Sequence, residues 1–96
     1  MAEYRLTPSA EHDLDTIWSH TSKKWGVEQA NSYIDIMAIA FTELVQSPKI
    51  DTTCNHIRPN YRRLGVERHV IYFRVTVYGI LIVRILHDRM DAPRHL

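Results

Sequence analysis

The sequence has a single cysteine and only three glycines among its 96 residues. One thiol excludes an internal disulfide, and the lone Cys54 suits a reducing compartment. The three glycines are isolated from one another, so no glycine-rich loop is present that could hold a phosphate. No apolar run, including the aliphatic stretch at residues 80–83, approaches the roughly 20 residues that a bilayer span requires. We therefore expect a cytoplasmic protein without a membrane segment.

Patterns typical of metal sites and of nucleophilic catalysis are also missing. The six histidines form neither an HxH nor an HExxH pattern, and one cysteine cannot build a zinc cluster. No GxSxG motif or Ser/His/Asp ordering is present. We expect no metal and no cofactor.

Charge is distributed unevenly along the chain. Residues 1–55 carry four basic and eight acidic side chains, whereas residues 56–96 carry eight basic and three acidic ones. All eight basic residues of the second part are arginines, and no lysine follows Lys49. Arginine is preferred where a planar fork must hold a carboxylate or a phosphate. A solvated sheet edge explains any single arginine equally well, but their concentration favours an anionic partner, either an acidic protein segment or a nucleic acid.

The first half of the sequence predicts a short strand followed by two helices. Residues 3–6 alternate in polarity, and Thr7 and Pro8 then read as an N-cap and a first helical position. Gly26 interrupts the helical pattern, and the second helix should end near Pro48. The apolar stripe of the first helix consists of Ala10, Leu14, Ile17, Trp18, Thr21 and Trp25. Two amphipathic helices joined at a glycine predict an antiparallel hairpin.

The second half predicts strands. Residues 49–60 read as a loop, residues 61–64 as a short strand, and residues 69–75 as a strand rich in β-branched and aromatic side chains. Residues 80–87 are almost continuously apolar, which predicts a strand covered on both faces. The order β-α-α-β-β-β is typical of an α+β fold. We expect one domain over residues 1–96, with the helical hairpin packed on a small antiparallel sheet and the N-terminal strand at its edge. The side chains expected to be buried are Trp18, Ile34, Phe41, Ile82 and Ile85.

Several segments resemble a known family. Residues 4–17 read YRLTPSAEHDLDTI, and the helix junction has Trp25 and Gly26 followed by QA and a tyrosine. The last third contains HVIYFR, ILIV, RILHDRMD and a terminal RHL. This arrangement is similar to ParE-type toxins of the RelE/ParE toxin–antitoxin superfamily over essentially the whole chain. Residues 49–60 match least.

The resemblance implies a function through protein partners. It implies a toxin of a type II system, held inactive by a ParD-type antitoxin whose C-terminal segment folds on the toxin. DNA would be contacted only indirectly, through the DNA-binding domain of that antitoxin. The free toxin would inhibit DNA gyrase, or its relative topoisomerase IV, without catalysis. The absence of lysine after Lys49 favours this branch over the lysine-rich, ribonuclease branch.

The site residues follow from charge and position. An apolar groove between helices and sheet, flanked by arginines, suits an acidic amphipathic segment. The residues expected to bind the antitoxin are Trp18, Arg62, Arg74 and Arg84. The C-terminal segment, residues 89–96, is polar and shows no packing pattern, so we expect it to contact the target. Its candidate contact residues are Arg89, Met90, Asp91, Arg94, His95 and Leu96.

A metal-free messenger ribonuclease of the RelE type is the alternative. His87 could donate a proton to the leaving oxygen, while Arg58 and Arg63 hold the phosphate. The sequence shows no general base beside them. A family member that has lost toxicity, or an unrelated interaction domain, also remains open.

Overall fold

The computed structural model describes residues 3–47, 52–53 and 59–96. These residues form a helical hairpin on one face of a five-stranded sheet whose strand order is β1-β5-β4-β3-β2. The elements are β1 (Glu3–Leu6), α1 (Pro8–Trp25), α2 (Val27–Gln46), β2 (Thr52–Thr53), β3 (Arg62–Val66), β4 (His69–Thr76), β5 (Gly79–His87) and α3 (Ala92–His95). The α+β class and the helical hairpin are confirmed. No helix in the described ranges is both long and apolar enough to cross a membrane.

Helix α1 begins and ends where the sequence predicts. The Thr7 hydroxyl accepts a hydrogen bond from the Ala10 amide at 3.1 Å and donates one to the Val83 carbonyl at 2.7 Å. Thr7 therefore caps the helix and joins it to β5. At the other end Gly26 has a φ of 97°, in the left-handed region that a residue without a Cβ reaches without strain.

The sheet is mixed, which corrects the expectation of an antiparallel sheet. Strands β2 to β5 pair antiparallel, but β1 runs parallel to β5, from Glu3 opposite Gly79 to Leu6 opposite Ile82. Between β1 and β5 the chain passes through the hairpin and the other strands, so no tight turn forces the two strands to run in opposite directions. The edge position of β1 is confirmed.

Two apolar clusters lie on the two faces of the sheet. The cluster under the hairpin contains Phe41, Ile82 and Ile85, all buried as predicted, and Ile34 packs against it partly buried. Trp18 was predicted to be buried, but 38% of it is exposed. Its indole N–H donates to the Asn31 side-chain oxygen on α2 at 2.9 Å, so it joins the two helices at the surface. A buried position would have required a partner for this N–H in the core.

The last third departs from the prediction at three places. Strand β3 spans Arg62–Val66, so Gly65 and Val66 belong to the strand and the turn lies at Glu67, whose φ is 56°. Thr52 and Thr53, predicted to lie in a loop, pair with β3, while the rest of residues 48–58, including Cys54, lies outside the described residues. The third departure is α3, in a segment for which no packing was expected.

Candidate functional site

An open groove lies between the helical hairpin and the ends of β4 and β5. It consists of two adjoining cavities of about 690 Å³ and about 330 Å³, which share Thr21, His69 and His87. We call this surface the hairpin groove. The larger cavity is also lined by Lys24, Trp25, Gln29, Tyr33, Glu67 and Arg68. The smaller one is also lined by Asp13, Thr16, Ile17, His20, Ile85 and Met90.

Three side chains form the floor of this groove. His69 and His87 are directly paired across β4 and β5, and their ring centroids are 5.4 Å apart in an edge-to-face arrangement. The Tyr33 hydroxyl of α2 lies 2.6 Å from Nδ1 of His69. Directly paired residues project from the same face of a sheet, so both rings face the helices.

The surroundings keep both Tyr33 and His69 neutral near pH 7. Burial lowers the pKa of His69 below its ordinary value of 6.5, and the neighbouring His87 lowers it further. Burial also raises the pKa of the Tyr33 hydroxyl above 10.0. A neutral His69 can accept a hydrogen bond from the Tyr33 hydroxyl at Nδ1, in which case its own hydrogen is on Nε2.

His87 has two mutually exclusive contacts at Nδ1. The Arg89 backbone N–H lies 3.1 Å from this atom, and the Asp88 carboxylate lies 3.0 Å from it. The unprotonated nitrogen accepts from Arg89, whereas the protonated nitrogen donates to Asp88. The presence or absence of a hydrogen on Nδ1 of His87 therefore decides which contact is made at the start of the C-terminal segment.

The groove carries positive charge and exposed apolar surface. Lys24 and Arg68 line it together with the single carboxylate of Glu67 in the larger cavity. Trp25, 66% exposed, lines the larger cavity, and Met90, 50% exposed, lines the smaller one. Aromatic and methionine side chains exposed beside a basic cleft are typical of protein interfaces.

A buried ion pair closes the side of the groove along β5. Strand β1 ends opposite Ile82, and beyond that point the Asp13 carboxylate accepts a hydrogen bond from the Ile85 amide at 2.9 Å. The same carboxylate receives two bonds from Arg84, at 2.7 and 2.9 Å. These bonds raise the pKa of Arg84, so the guanidinium stays charged. Asp13 is only 8% exposed, and all three guanidinium nitrogens of Arg84 have hydrogen-bond partners within the chain.

The C-terminal segment is anchored to the sheet by two apolar side chains and one backbone carbonyl, contrary to the expectation that it lacks packing. Ala92 is buried against Tyr72 and Leu86, and Leu96 packs on the same cluster. The third guanidinium nitrogen of Arg84 donates to the His95 carbonyl at 3.0 Å. The side chains of the segment that remain exposed are Arg89, Met90, Asp91, Pro93, Arg94 and His95. The segment thus presents mostly polar side chains from a fixed backbone.

The structure separates several residues that were predicted to act together. Arg63 pairs with Tyr72, whose side chain lies in the cluster away from the helices, whereas His87 faces the helices. The proposed His87–Arg63 constellation is therefore split between two faces of the sheet. Arg58 lies outside the described residues.

The residues expected to bind the antitoxin do not form one surface either. Arg62 pairs with Phe73 of the core, while the Arg74 guanidinium lies 6.0 Å from the Tyr61 ring centroid on the other face. Trp18 lies on the helical layer, beside Asn31. The binding role of each residue remains a prediction.

Sequence reasoning missed Tyr33, His69 and Asp13 as functional candidates. A signal for two of them was present. His69 precedes Ile71 and Phe73 at alternate positions, so it belongs to the core-facing side of β4. Asp13 lies three residues after Ala10 and four before Ile17, on the buried face of α1. Among the described residues, no group of three metal-ligating side chains that could hold an ion occurs.

Comparisons with known proteins place this chain in a family. Residues 4–92 match the family model described as ParE toxin of type II toxin-antitoxin system, parDE. The chain is 40% identical to Toxin ParE1 of Mycobacterium tuberculosis strain H37Rv, over 99% of this chain and 98% of the relative. It is 36% identical to Toxin ParE1 of Caulobacter vibrioides, over 100% and 99%.

A solved structure supports the same assignment. The chain superposes on a chain of the chromosomal ParDE TA system from P. aeruginosa with a TM-score of 0.78 and 27% identity, covering 91% of this chain and 96% of that one. The chain belongs to the ParE toxin family. It is the toxin component of a type II toxin–antitoxin system.

Proposed function

We propose that a ParD-type antitoxin neutralises this toxin by laying an acidic segment along the hairpin groove. The observation that carries the proposal is the lining of the groove, where Lys24 and Arg68 stand beside exposed Trp25. The ParDE name of the similar structure supports an antitoxin partner for this chain. A segment that is disordered when free would become ordered on this surface. DNA would then be bound only by the antitoxin.

The proposed target is DNA gyrase, inhibited by binding and without catalysis. The family resemblance suggests gyrase, and the split between His87 and Arg63 argues against the metal-free nuclease site anticipated from the sequence. Exposed Arg89 and Arg94 on an anchored backbone form a small contact surface outside the groove, whereas Met90 of the same segment lines the smaller cavity. If the target binds the C-terminal segment and the antitoxin binds the groove, mutations can abolish one interaction and leave the other intact.

Growth assays and binding titrations on the same variants test this separation. The double substitution Arg89→Ala and Arg94→Ala removes exposed charges and should weaken both growth inhibition and inhibition of gyrase supercoiling. Deleting residues 94–96 should do the same. Antitoxin affinity should change little in either case. Loss of antitoxin binding together with toxicity would contradict separate surfaces, and undiminished supercoiling by gyrase in the presence of the parent toxin would exclude gyrase as the target.

A specific observation keeps the ribonuclease alternative testable. In this alternative His69 would be the general base, because it is neutral and its ring lies beside that of His87; its Nδ1 would first have to be released by the Tyr33 hydroxyl. In that mechanism His87→Ala should reduce RNA cleavage in a translating extract by about 10²–10⁴-fold. In the gyrase mechanism His87→Ala should reduce toxicity less than the arginine substitutions do. Toxicity abolished by His87→Ala alone, together with lost RNA cleavage, would favour the nuclease.

A further inference from the structure

Arg84 joins three parts of the molecule through one planar group. Its Nε and one terminal nitrogen bind the Asp13 carboxylate of α1, and its other terminal nitrogen binds the His95 carbonyl. Asp13 is itself fixed, because it also accepts the Ile85 amide. The guanidinium orientation is thereby set by α1 and β5, and its remaining nitrogen is directed at the C-terminal segment.

The C-terminal segment needs such a support. Helix α3 has four residues, and a helix of one turn is not stable in water without tertiary contacts. Chain termini fray unless they are tied down. Ala92 and Leu96 supply apolar contacts, and Arg84 donates a hydrogen bond to the last turn from outside the segment.

We infer that Asp13 and Arg84 are positioning residues for target recognition, which fix the C-terminal segment so that its exposed side chains are presented in one arrangement. Neither residue needs to touch the target. The inference rests on the proposed role of the segment in target binding. A fixed segment loses less conformational entropy when the target binds, so releasing it should lower affinity for the target while leaving its side chains unchanged.

Arg84→Lys separates this role from general stability. A lysine keeps the charge beside Asp13, but its single nitrogen cannot occupy the three positions of the guanidinium. Amide hydrogen exchange of Leu96, whose N–H bonds the Ala92 carbonyl at 3.1 Å, should accelerate about 10-fold to 100-fold, as expected for the loss of a charge-assisted hydrogen bond. Exchange in β4 should stay within about 2-fold of the parent.

The matched control is Arg5→Lys, an exposed arginine that pairs with Glu3 on the edge strand. It should change neither the exchange of Leu96 nor toxicity. Asp13→Asn provides a second variant: it keeps an acceptor for Ile85 but removes the charge that orients Arg84, so exchange of Leu96 should again accelerate. Growth inhibition should weaken in both Arg84→Lys and Asp13→Asn.

The two readouts distinguish the possible failures. Unchanged amide exchange of Leu96 in Arg84→Lys would show that Arg84 does not fix the C-terminal segment, and would overturn the inference. Faster exchange with full toxicity in Arg84→Lys, while the Arg89 and Arg94 double variant is inactive, would overturn the positioning role but keep the proposed function. Full toxicity of the double variant would instead remove the segment from target binding.

Discussion

At the scale of single residues, His69 makes stability depend on pH. Its pKa is lowered in the folded chain, and unfolding returns it toward 6.5, so the unfolded chain takes up the proton first as pH falls. The free energy of unfolding should be fully maintained above about pH 6.5 and should fall between that value and the lower folded pKa. The slope can reach about 1.4 kcal/mol per pH unit for one proton.

Chemical denaturation at several pH values measures this slope. His69→Phe should flatten it over pH 5–7 because the titrating group is gone, while His12→Gln, an exposed position on α1, should keep the parent's slope. A parent chain with the same free energy of unfolding at pH 7 and pH 5 would contradict the assignment of a neutral, buried His69.

At position 79 the neighbouring strand β1 leaves no room for a side chain, so only glycine fits. A Cβ at this position would lie 2.1 Å from the Glu3 carbonyl oxygen, and its φ is 141°. Gly79→Ala should therefore displace β1 and cost about 1–3 kcal/mol or more of unfolding free energy. Gly65→Ala is the control, since a Cβ there meets nothing within 4 Å. Equal stabilities of the two variants in urea unfolding would argue against the close contact of β1 with β5.

At the scale of elements, the helical hairpin is held by the buried face of α2. Phe41 is 2% exposed in the cluster between hairpin and sheet, whereas Ile39, two residues before it, is 59% exposed. Phe41→Ala should cost about 3–5 kcal/mol of unfolding free energy because it leaves a cavity, and Ile39→Ala should cost well under half of that. Thermal or denaturant unfolding decides the comparison. A similar loss from both would mean that the exposed face of α2 is also covered.

The structural features that could be predicted from the sequence are those determined by residues close together in the chain. The Thr7 cap, the Gly26 junction and the alternation of β4 depend on neighbours in the chain, so their signals are readable. The parallel pairing of β1 with β5 and the bond between Asp13 and Arg84 join residues more than 70 positions apart. Asp13 and the exposed Asp15 are equivalent as dipole partners of the helix, and only the spacing of Asp13 from Ala10 and Ile17 marks it as buried. The burial of Trp18 was predicted wrongly because a residue in the apolar stripe can also lie at its edge, where the indole N–H bonds to Asn31.

At the scale of the whole molecule, the charge asymmetry of the sequence becomes a difference between layers. Helices α1 and α2 carry six carboxylates and two lysines, whereas β3 to β5 and the residues after them carry mostly arginines. The ion pair between Asp13 and Arg84 neutralises one charge of each layer internally. The remaining arginines lie on and around the sheet, and Arg68 lines the hairpin groove. The basic layer is therefore the side that an acidic antitoxin segment would meet.

This arrangement predicts that antitoxin affinity falls as salt rises, because the charges involved are exposed and screened. Arg68→Glu, in the groove, should weaken binding more than Lys23→Glu, which alters an exposed cation at the end of α1. Arg74→Glu tests whether the antitoxin also reaches the face of the sheet opposite the groove, as the charge distribution of the sequence predicts. Arg84 is unsuitable for this comparison, since reversing its charge would leave Asp13 buried beside a second carboxylate and destabilise the fold. Titrations of the three variants at two salt concentrations give the result. An equal loss of antitoxin affinity at all three positions, or an affinity that does not depend on salt, would show that the antitoxin does not bind through the basic layer.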